Sequence, residues 1–247
     1  MLGAQRKSHL LQILDRDGRV IAKSVAQELG LSEDSIRRDL RELADEGKLV
    51  RVYGGGLPVP AADRPVEQRS SLATDSKKRV AARAAELIGR ASTIVLDAGT
   101  TTLELARILP NDAELTVITP SPAIAIAVAE HSEARVVMIG GELTRYSMVT
   151  GGPLAMEAIR HLAADLFFMG VTGIDPTRGL TTGNLDDAAT KRAIAGRCEQ
   201  TIVLGSEEKI GAISRFPVLE FEAIAGIIVD PLDRNPLIAE LPMLISS

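Results

Sequence analysis

Ten residues, Leu31-Ser32-Glu33-Asp34-Ser35-Ile36-Arg37-Arg38-Asp39-Leu40, constrain this chain more than any others. They read as a turn followed by an abrupt helix start. Ser32 suits an N-cap, because its hydroxyl can accept from a free amide of the first turn. Glu33 and Asp34 follow it, where acidic side chains complement the positive end of a helix. Ile36, Leu40 and Leu43 recur at helical spacing, which places them on one buried stripe. Ser35, Arg37, Arg38 and Arg41 fall off that stripe and face outward. A short helix that buries one side and presents serine and arginine at its N-terminal half suits the DNA major groove. A charged surface helix is the plain alternative.

The flanks give that helix a context. Leu10, Ile13 and Leu14 share one face of a helix over 6–14. Gly18-Arg19-Val20 breaks the pattern. Val20 to Gly30 then reads as a second helix, with Val25, Ala26 and Leu29 inward and Gly30 as its stop. Two helices, a glycine-containing turn and a third helix follow the order of a helix-turn-helix. Downstream, Leu49, Arg51 and Tyr53 alternate against Val50 and Val52 in a strand that ends at Gly54-Gly55-Gly56. A strand pair behind the third helix makes a winged variant and puts Arg51 and Tyr53 near the phosphate backbone.

Leu57-Pro58-Val59-Pro60-Ala61-Ala62-Asp63-Arg64-Pro65 is a proline-rich joint. The expected organisation is a small domain over 1–57, a linker over 58–74 with a short helix over 66–72, and a larger domain over 75–247. In the larger part, helical stretches (76–89, 102–109, 123–130, 153–162, 186–197) alternate with β-branched runs (93–96, 115–119, 134–139, 166–169, 201–204, 226–229). The expected fold class is α/β, with a winged helix-turn-helix followed by a mostly parallel sheet covered on both faces.

Ligands of such sheets sit at the C-terminal strand ends. There lie Asp97-Ala98-Gly99-Thr100-Thr101-Thr102, Thr119-Pro120-Ser121-Pro122, Gly140-Gly141, Gly170-Val171-Thr172-Gly173 and Gly205-Ser206-Glu207-Glu208-Lys209. In the first of these, Gly99 permits close backbone approach, and threonine hydroxyls with free helix-start amides suit an anion such as phosphate. A threonine-capped helix after a tight turn is the plain alternative. No Gly-Lys-Ser/Thr follows, and the glycine spacing is not that of a dinucleotide fingerprint.

Composition narrows the remaining classes. The net charge of −5 argues against nucleic acid only at first sight. Residues 1–60 hold ten Lys/Arg against nine Asp/Glu, leaving 18 against 24 for the rest, so the acidity belongs to the C-terminal part. What matters for phosphate contact is which face carries the arginines. Aromatic residues make up 2% with no Trp, so Leu, Ile, Val and Ala must build the core. No apolar run reaches the roughly 18 residues of a membrane span. Gln5-Arg6-Lys7-Ser8-His9 interrupts any secretory apolar stretch. A single cysteine, Cys198, excludes an intrachain disulfide and a multi-cysteine zinc site, and is expected to be a buried filler. His9, His131 and His161 show no ligand spacing. The expectation is a cytoplasmic protein without metal or cofactor.

The N-terminal segment resembles the DeoR family of bacterial transcriptional regulators. Their signature, Val-Ser-x-x-Thr-Ile-Arg-Arg-Asp-Leu, then Leu-x-x-x-Gly-x-Leu-x-Arg and Gly-Gly, stands here as Leu31 to Leu40, Leu43 to Arg51, and Gly54-Gly55. Leu31 replaces Val, Ser35 replaces Thr, and Tyr53 stands where His is common. The C-terminal half resembles the sensor domain of the same family, which looks like ribose-phosphate isomerase in fold. The family's phosphate loop, Asp-x-Gly-Thr-Thr-Thr, is intact as Asp97 to Thr102. Its Gly-Gly is Gly140-Gly141. Its Gly-Leu-Thr run, acidic residue and Lys-Arg are Gly179-Leu180-Thr181, Asp187 and Lys191-Arg192. Its Asp-Ser-Ser-Lys-x-Gly is altered to Ser206-Glu207-Glu208-Lys209-Ile210-Gly211.

The resemblance also separates sensor from enzyme. Counting back from Lys209 puts Lys191 where the isomerase has its glutamate base, and Val171-Thr172-Gly173-Ile174 carries no carboxylate where the isomerase has an acidic cluster. It therefore implies binding without turnover: a repressor of a sugar-catabolic operon, not an enzyme, controlled by a phosphorylated sugar metabolite. Its partners would be operator double-stranded DNA and further copies of itself, as a dimer or higher oligomer. The candidate DNA contacts are Ser32, Ser35, Arg37, Arg38, Arg41, Arg51 and Tyr53. The candidate effector contacts are Asp97, Gly99, Thr100, Thr101, Thr102, Ser121, Gly140, Gly141, Lys191 and Lys209. Each lysine also reads as an ordinary solvated residue, and Glu207 and Glu208 oppose an anion at Lys209 unless they point away. Arg145 and Tyr146 read as a lid or as loop surface. The alternative is an isomerase or CoA-transferase-like enzyme carrying a DNA-binding domain, the transferase with Glu142 as its nucleophile. A third reading is a constitutive DNA-bending protein with no effector.

Overall fold

Apolar residues at helical spacing near the N-terminus pack into one core. The computed structural model describes residues 3–17, 19–46, 48–57, 71–144 and 147–245. The 58–65 joint, residues 66–70 of the expected connecting helix, and Arg145 and Tyr146 lie outside them. The chain divides into two compact units, Met1–Arg64 and Pro65–Ser247.

The first unit runs α1 (Gly3–Asp17), β1 (Val20–Ile21), α2 (Ala22–Leu29), α3 (Glu33–Asp45), β2 (Val50–Val52) and β3 (Gly55–Leu57). Its core joins Leu10, Ile13 and Leu14 of α1 to Val25 and Ala26 of α2, Ile36, Leu40 and Leu43 of α3, and Leu49. Ser32 caps α3, its hydroxyl accepting from the Ser35 amide at 3.3 Å, and Gly30 closes α2 in the left-handed conformation. One polar pair crosses this core. Asp39, 2% exposed, accepts from the Arg6 guanidinium through Nε and, at 3.0 Å, through Nη2. This two-pronged charge-assisted bond ties α3 to α1.

Two expectations need correction here. Val20 and Ile21 do not belong to the second helix; they form a strand antiparallel to Gly56 and Gly55, and α2 begins only at Ala22, whose amide donates to the Gly54 carbonyl at 2.9 Å. β-branched side chains favour extended backbone, and here a partner strand is present to pair with them. The alternation over 49–53 also fails: Leu49 is buried, whereas Arg51, Val52 and Tyr53 are all exposed. The glycine run is more than a turn. It supplies β3, the middle strand of a β1-β3-β2 sheet. A Cβ on Gly55 would stand 1.8 Å from the Val20 carbonyl oxygen, so the strand crossing needs glycine there.

The second unit runs α4 (Thr74–Ile88), β4 (Thr93–Leu96), α5 (Thr100–Ala106), β5 (Thr116–Thr119), α6 (Pro122–His131), β6 (Arg135–Met138), β7 (Glu142–Thr144), β8 (Val149–Gly151), α7 (Gly152–Arg160), β9 (Ala164–Gly170), β10 (Gly173–Asp175), β11 (Gly179–Thr182), α8 (Leu185–Ala195), β12 (Cys198–Gly205), β13 (Phe216–Pro217) and β14 (Gly226–Val229). Six strands form one parallel sheet in the order β14-β12-β9-β4-β5-β6. Alternate residues of each strand feed different cores. Ile94, Leu96, Phe168 and Leu204 pack with Val80, Ala84, Leu105 and Val128 of α4, α5 and α6. Val95, Phe167, Met169 and Val203 pack with Ile159, Ala188 and Ile194 of α7 and α8. Burial on both faces explains why these strands read as continuous apolar runs. Among the described residues, no helix is long and apolar enough to cross a membrane.

The helix expected over 102–109 is α5, which starts two residues earlier: the Leu103 amide donates to the Gly99 carbonyl at 2.9 Å, drawing Thr100 and Thr101 into the first turn. The β7–β8 hairpin and the β10-β11-β13 sheet were not expected. Their strands are two to four residues long and rich in Gly and Thr, too short for a period to register.

Replacing Gly55 with Ala forces β1 and β3 apart. We expect a loss of about 1–3 kcal/mol, the usual range for overpacking, measured as a lower urea midpoint for the N-terminal unit with the melting of the C-terminal unit unchanged.

Candidate functional site

The exposed face of α3 is arginine-rich. Arg37, Arg38 and Arg41 are exposed and Ser35 is half-buried. Together with Asp34 and with Arg51 from β2 they line a groove of about 510 Å³. A smaller hollow of about 160 Å³ lies between Arg37, Leu40 and the β2–β3 turn, with Tyr53 on its rim. Tyr53 is fully exposed at the tip of that turn. Four guanidinium groups thus face one groove against a single lining carboxylate. Arg37 also reaches Glu33 at 2.7 Å, a solvent-exposed pair that contributes only about 0–1 kcal/mol. The Ser32 and Ser35 hydroxyls lie 2.9 Å apart and serve the cap.

In the C-terminal unit the parallel topology brings five strand ends to one edge. Asp97, directly after β4, is 1% exposed. One of its oxygens accepts from the Gly170 amide at 2.8 Å and from the Lys191 ammonium; the other accepts from the Ala98 amide at 2.8 Å. Lys191, 4% exposed on α8, also pairs with Asp187 at 3.1 Å, and Asp187 accepts from the Thr182 hydroxyl at 2.6 Å. Burial pushes the Asp97 carboxyl above its ordinary range; the Lys191 ammonium opposes that rise and the Asp187 charge adds to it. Burial works against the Lys191 charge, but Asp187 and Asp97 outweigh it and hold the ammonium above its usual value. Lys191 is therefore a locked internal cation rather than a solvated one.

Thr100, Thr101 and Thr102 are all buried. Thr102 donates to the Gly99 carbonyl at 2.9 Å. The Thr101 hydroxyl lies 3.3 Å from both the Ser206 hydroxyl and the Lys209 ammonium. Lys209, 4% exposed, also donates to the Leu204 carbonyl at 3.0 Å. Of the two neighbouring glutamates, Glu207 is exposed, while Glu208 turns inward, accepting from Ser206 at 3.0 Å and lying 3.5 Å from the buried Lys77 ammonium.

The remaining candidates sit apart from this cluster. Ser121 is buried at the start of α6, its amide donating to the Thr119 hydroxyl at 3.1 Å. Gly140 is exposed, and Gly141 packs against β8, where a Cβ would fall 2.3 Å from the Gly151 carbonyl oxygen. The Thr150 amide of β8 donates to the Pro120 carbonyl at 2.9 Å and its hydroxyl to the Ile139 carbonyl, holding the loops after β5 and β6 together. Glu142 is exposed on β7. The Cys198 thiol, pushed up to about 12 by burial and by the Asp165 charge, stays protonated and is no nucleophile.

Two family models match the chain in succession: the DeoR-like helix-turn-helix domain over residues 6–57 and the DeoR C terminal sensor domain over residues 72–231. The chain belongs to the DeoR family. It is similar to the HTH-type transcriptional regulator GlpR of Haloferax volcanii, 34% identical over 93% of this chain and 91% of that one. It is also similar to the glycerol-3-phosphate regulon repressor of Escherichia coli K12, 28% identical over 85% of this chain and 84% of that one. Among solved structures it shares 19% identity and a TM-score of 0.41 with ribose 5-phosphate isomerase A of Methanocaldococcus jannaschii, over 56% of this chain and 54% of that one. The DeoR chain described here is a DNA-binding transcriptional regulator.

The sequence names Lys191 as an effector contact and Asp187 and Ser206 within motifs, but the pairing among them and the part played by Lys77 are not read from it. Asp187 and Lys191 stand four apart on α8, a spacing that could have signalled their pairing. The contacts of Lys77 with Glu208 and of Ser206 with Thr101 gave no such signal, since these partners lie far apart in the chain. The Asp97–Lys191–Asp187 network makes a sharp test. Replacing Lys191 with Met leaves two buried carboxylates facing each other, and we expect a loss of about 3–5 kcal/mol in denaturant unfolding of the C-terminal unit. The double change with Asp97→Asn should recover part of it.

Proposed function

We propose that this regulator represses a sugar-catabolic operon and is released by a phosphorylated sugar. Residues 1–57 bind the operator, 58–74 link, and 75–247 sense the effector. The observation that carries the DNA half is the arginine-lined groove on α3. With α3 in the major groove, Arg38 and Arg41 reach base edges or phosphates, Arg37 and Arg51 flank them, and Tyr53 approaches the backbone from the turn. Ser32 and Ser35 contribute hydroxyls at the helix start. The protein acts in the cytoplasm as a dimer or higher oligomer, because two-fold operators are read by paired domains.

For the effector half, the support is a set of buried hydroxyls and one ammonium at the sheet edge: Thr100, Thr101 and Thr102 with Lys209. These are donors suited to a phosphate. Asp97, Gly99 and Lys191 shape the loop rather than supply free charge. Ser121, Gly140 and Gly141 line the neighbouring strand ends, where the sugar would lie.

Two measurements test this reading. Changing Arg38 and Arg41 together to Ala should weaken operator binding by about 1–3 kcal/mol per lost contact. A gel-shift titration at fixed salt, with circular dichroism as folding control, reads the loss; unchanged affinity would remove α3 from the groove. A panel of sugar phosphates, each at 100 times its dissociation constant, should raise stability by about 2.7 kcal/mol for the true effector. Thr101→Val, which keeps the shape and removes the hydroxyl, should weaken that ligand by about 0.5–1.5 kcal/mol. A variant that binds as wild type would place the effector elsewhere.

A further inference from the structure

Lys77 is 1% exposed, an unusual place for a lysine, and it lies near the start of α4. Its ammonium donates to the carbonyl of Leu72 and lies 3.5 Å from a Glu208 carboxylate oxygen. That oxygen accepts from the Ser206 hydroxyl at 3.0 Å, and the same hydroxyl lies 3.3 Å from that of Thr101, which takes the Lys209 ammonium at 3.3 Å. A contiguous chain of polar contacts therefore runs from the segment that follows the 58–70 span to the threonine loop. In its middle stands a carboxylate whose second oxygen is buried without a hydrogen-bond partner among the described residues.

An anion in that position does not suit a site for anions. Lys77, Lys191 and Lys209 bring three ammonium groups, and Asp97, Asp187 and Glu208 bring three carboxylates, so this buried set is already neutral. A phosphate arriving at Thr101 and Lys209 meets the Glu208 charge two hydrogen bonds away, and like charges in a shared low-dielectric site repel. Both carboxylates on Lys191 are held in place by that lysine, whereas Glu208 has one half-satisfied end.

We propose that Glu208 is a built-in competitor for the effector's anion: in the effector-free chain its carboxylate occupies Ser206 and Lys77, and the effector's phosphate displaces it. This rests on the effector reading above. The exchange changes the partner of Lys77, the residue that also holds the Leu72 carbonyl, so occupancy of the sheet edge alters the anchorage of the chain leading to the N-terminal unit. Glu208 thereby sets both the concentration at which an anion acts and the route by which it is felt.

The test uses the full chain and inorganic phosphate as probe. Glu208→Ser and Glu208→Gln are titrated by calorimetry beside wild type, with Glu207→Ser as a control that removes the same charge from an exposed neighbour. Glu208→Gln keeps the side chain's shape should the serine variant fold poorly. Both Glu208 variants should bind phosphate about tenfold or more tightly than wild type, and Glu207→Ser should not. Hydrogen exchange over residues 71–78 should shift on phosphate saturation. Equal phosphate affinity in all four proteins, or an equal gain in Glu207→Ser, overturns the proposal; a gain confined to Glu208 with unchanged exchange over 71–78 overturns the coupling to the linker. If the Glu208 variants gain phosphate while no sugar phosphate shifts wild type, the competitor stands and the sugar-phosphate reading falls.

Discussion

A buried ammonium shared between two carboxylates holds the sensing end of this protein together. Lys191 reaches Asp97 at the end of β4 and Asp187 on its own helix, and Asp97 in turn takes the amide of Gly170 at the end of β9. Removing charges from water is expensive, and the arrangement persists because nearly every lone pair meets a donor. Two adjacent strand ends and α8 are fixed relative to one another by these few bonds. The position of the threonine loop follows, because it begins at Asp97.

The same logic operates on a smaller scale at the N-terminus. Arg6 and Asp39 lock α1 against α3 from inside, which leaves the outer face of α3 to carry exposed arginines, Arg37 pairing with Glu33 of its own helix. The two units thus share a principle. Paired charges stay inside and hold geometry, while the arginines that line the α3 groove are exposed. Lys209 reaches a hydroxyl and a carbonyl, Thr101 and Leu204, and Glu208 lies beside Lys77.

Much of this was legible before any coordinates. The stripe of Ile36, Leu40 and Leu43, the Ser32 cap, and the six apolar runs of the parallel sheet are local signals, and local signals survive in sequence. Charge pairing was less visible. Arg6 and Asp39 are 33 residues apart, and Asp97 and Lys191 are 94 apart, so no spacing announces them. Lys191 looked like a solvated lysine or an effector ligand, and its burial between carboxylates comes from packing α8 against the sheet. The short strands β10, β11 and β13 escaped because their hydrogen bonds go to each other rather than along any periodic face. Val20 and Ile21 misled because a helical pattern continues through them, while the strand that captures them lies more than thirty residues on.

The placement of Asp39 bears on how this protein would behave in a genetic screen. The residue sits inside the Arg37-Arg38-Asp39 triplet, yet its carboxylate points away from the arginine groove, into the fold. On the proposed reading, in which Arg38 contacts the operator, an allele altered there would lose regulation as one altered at Arg38 does, and a reporter colony would look the same. Cellular abundance separates the two: the first would leave little folded protein, the second a normal amount.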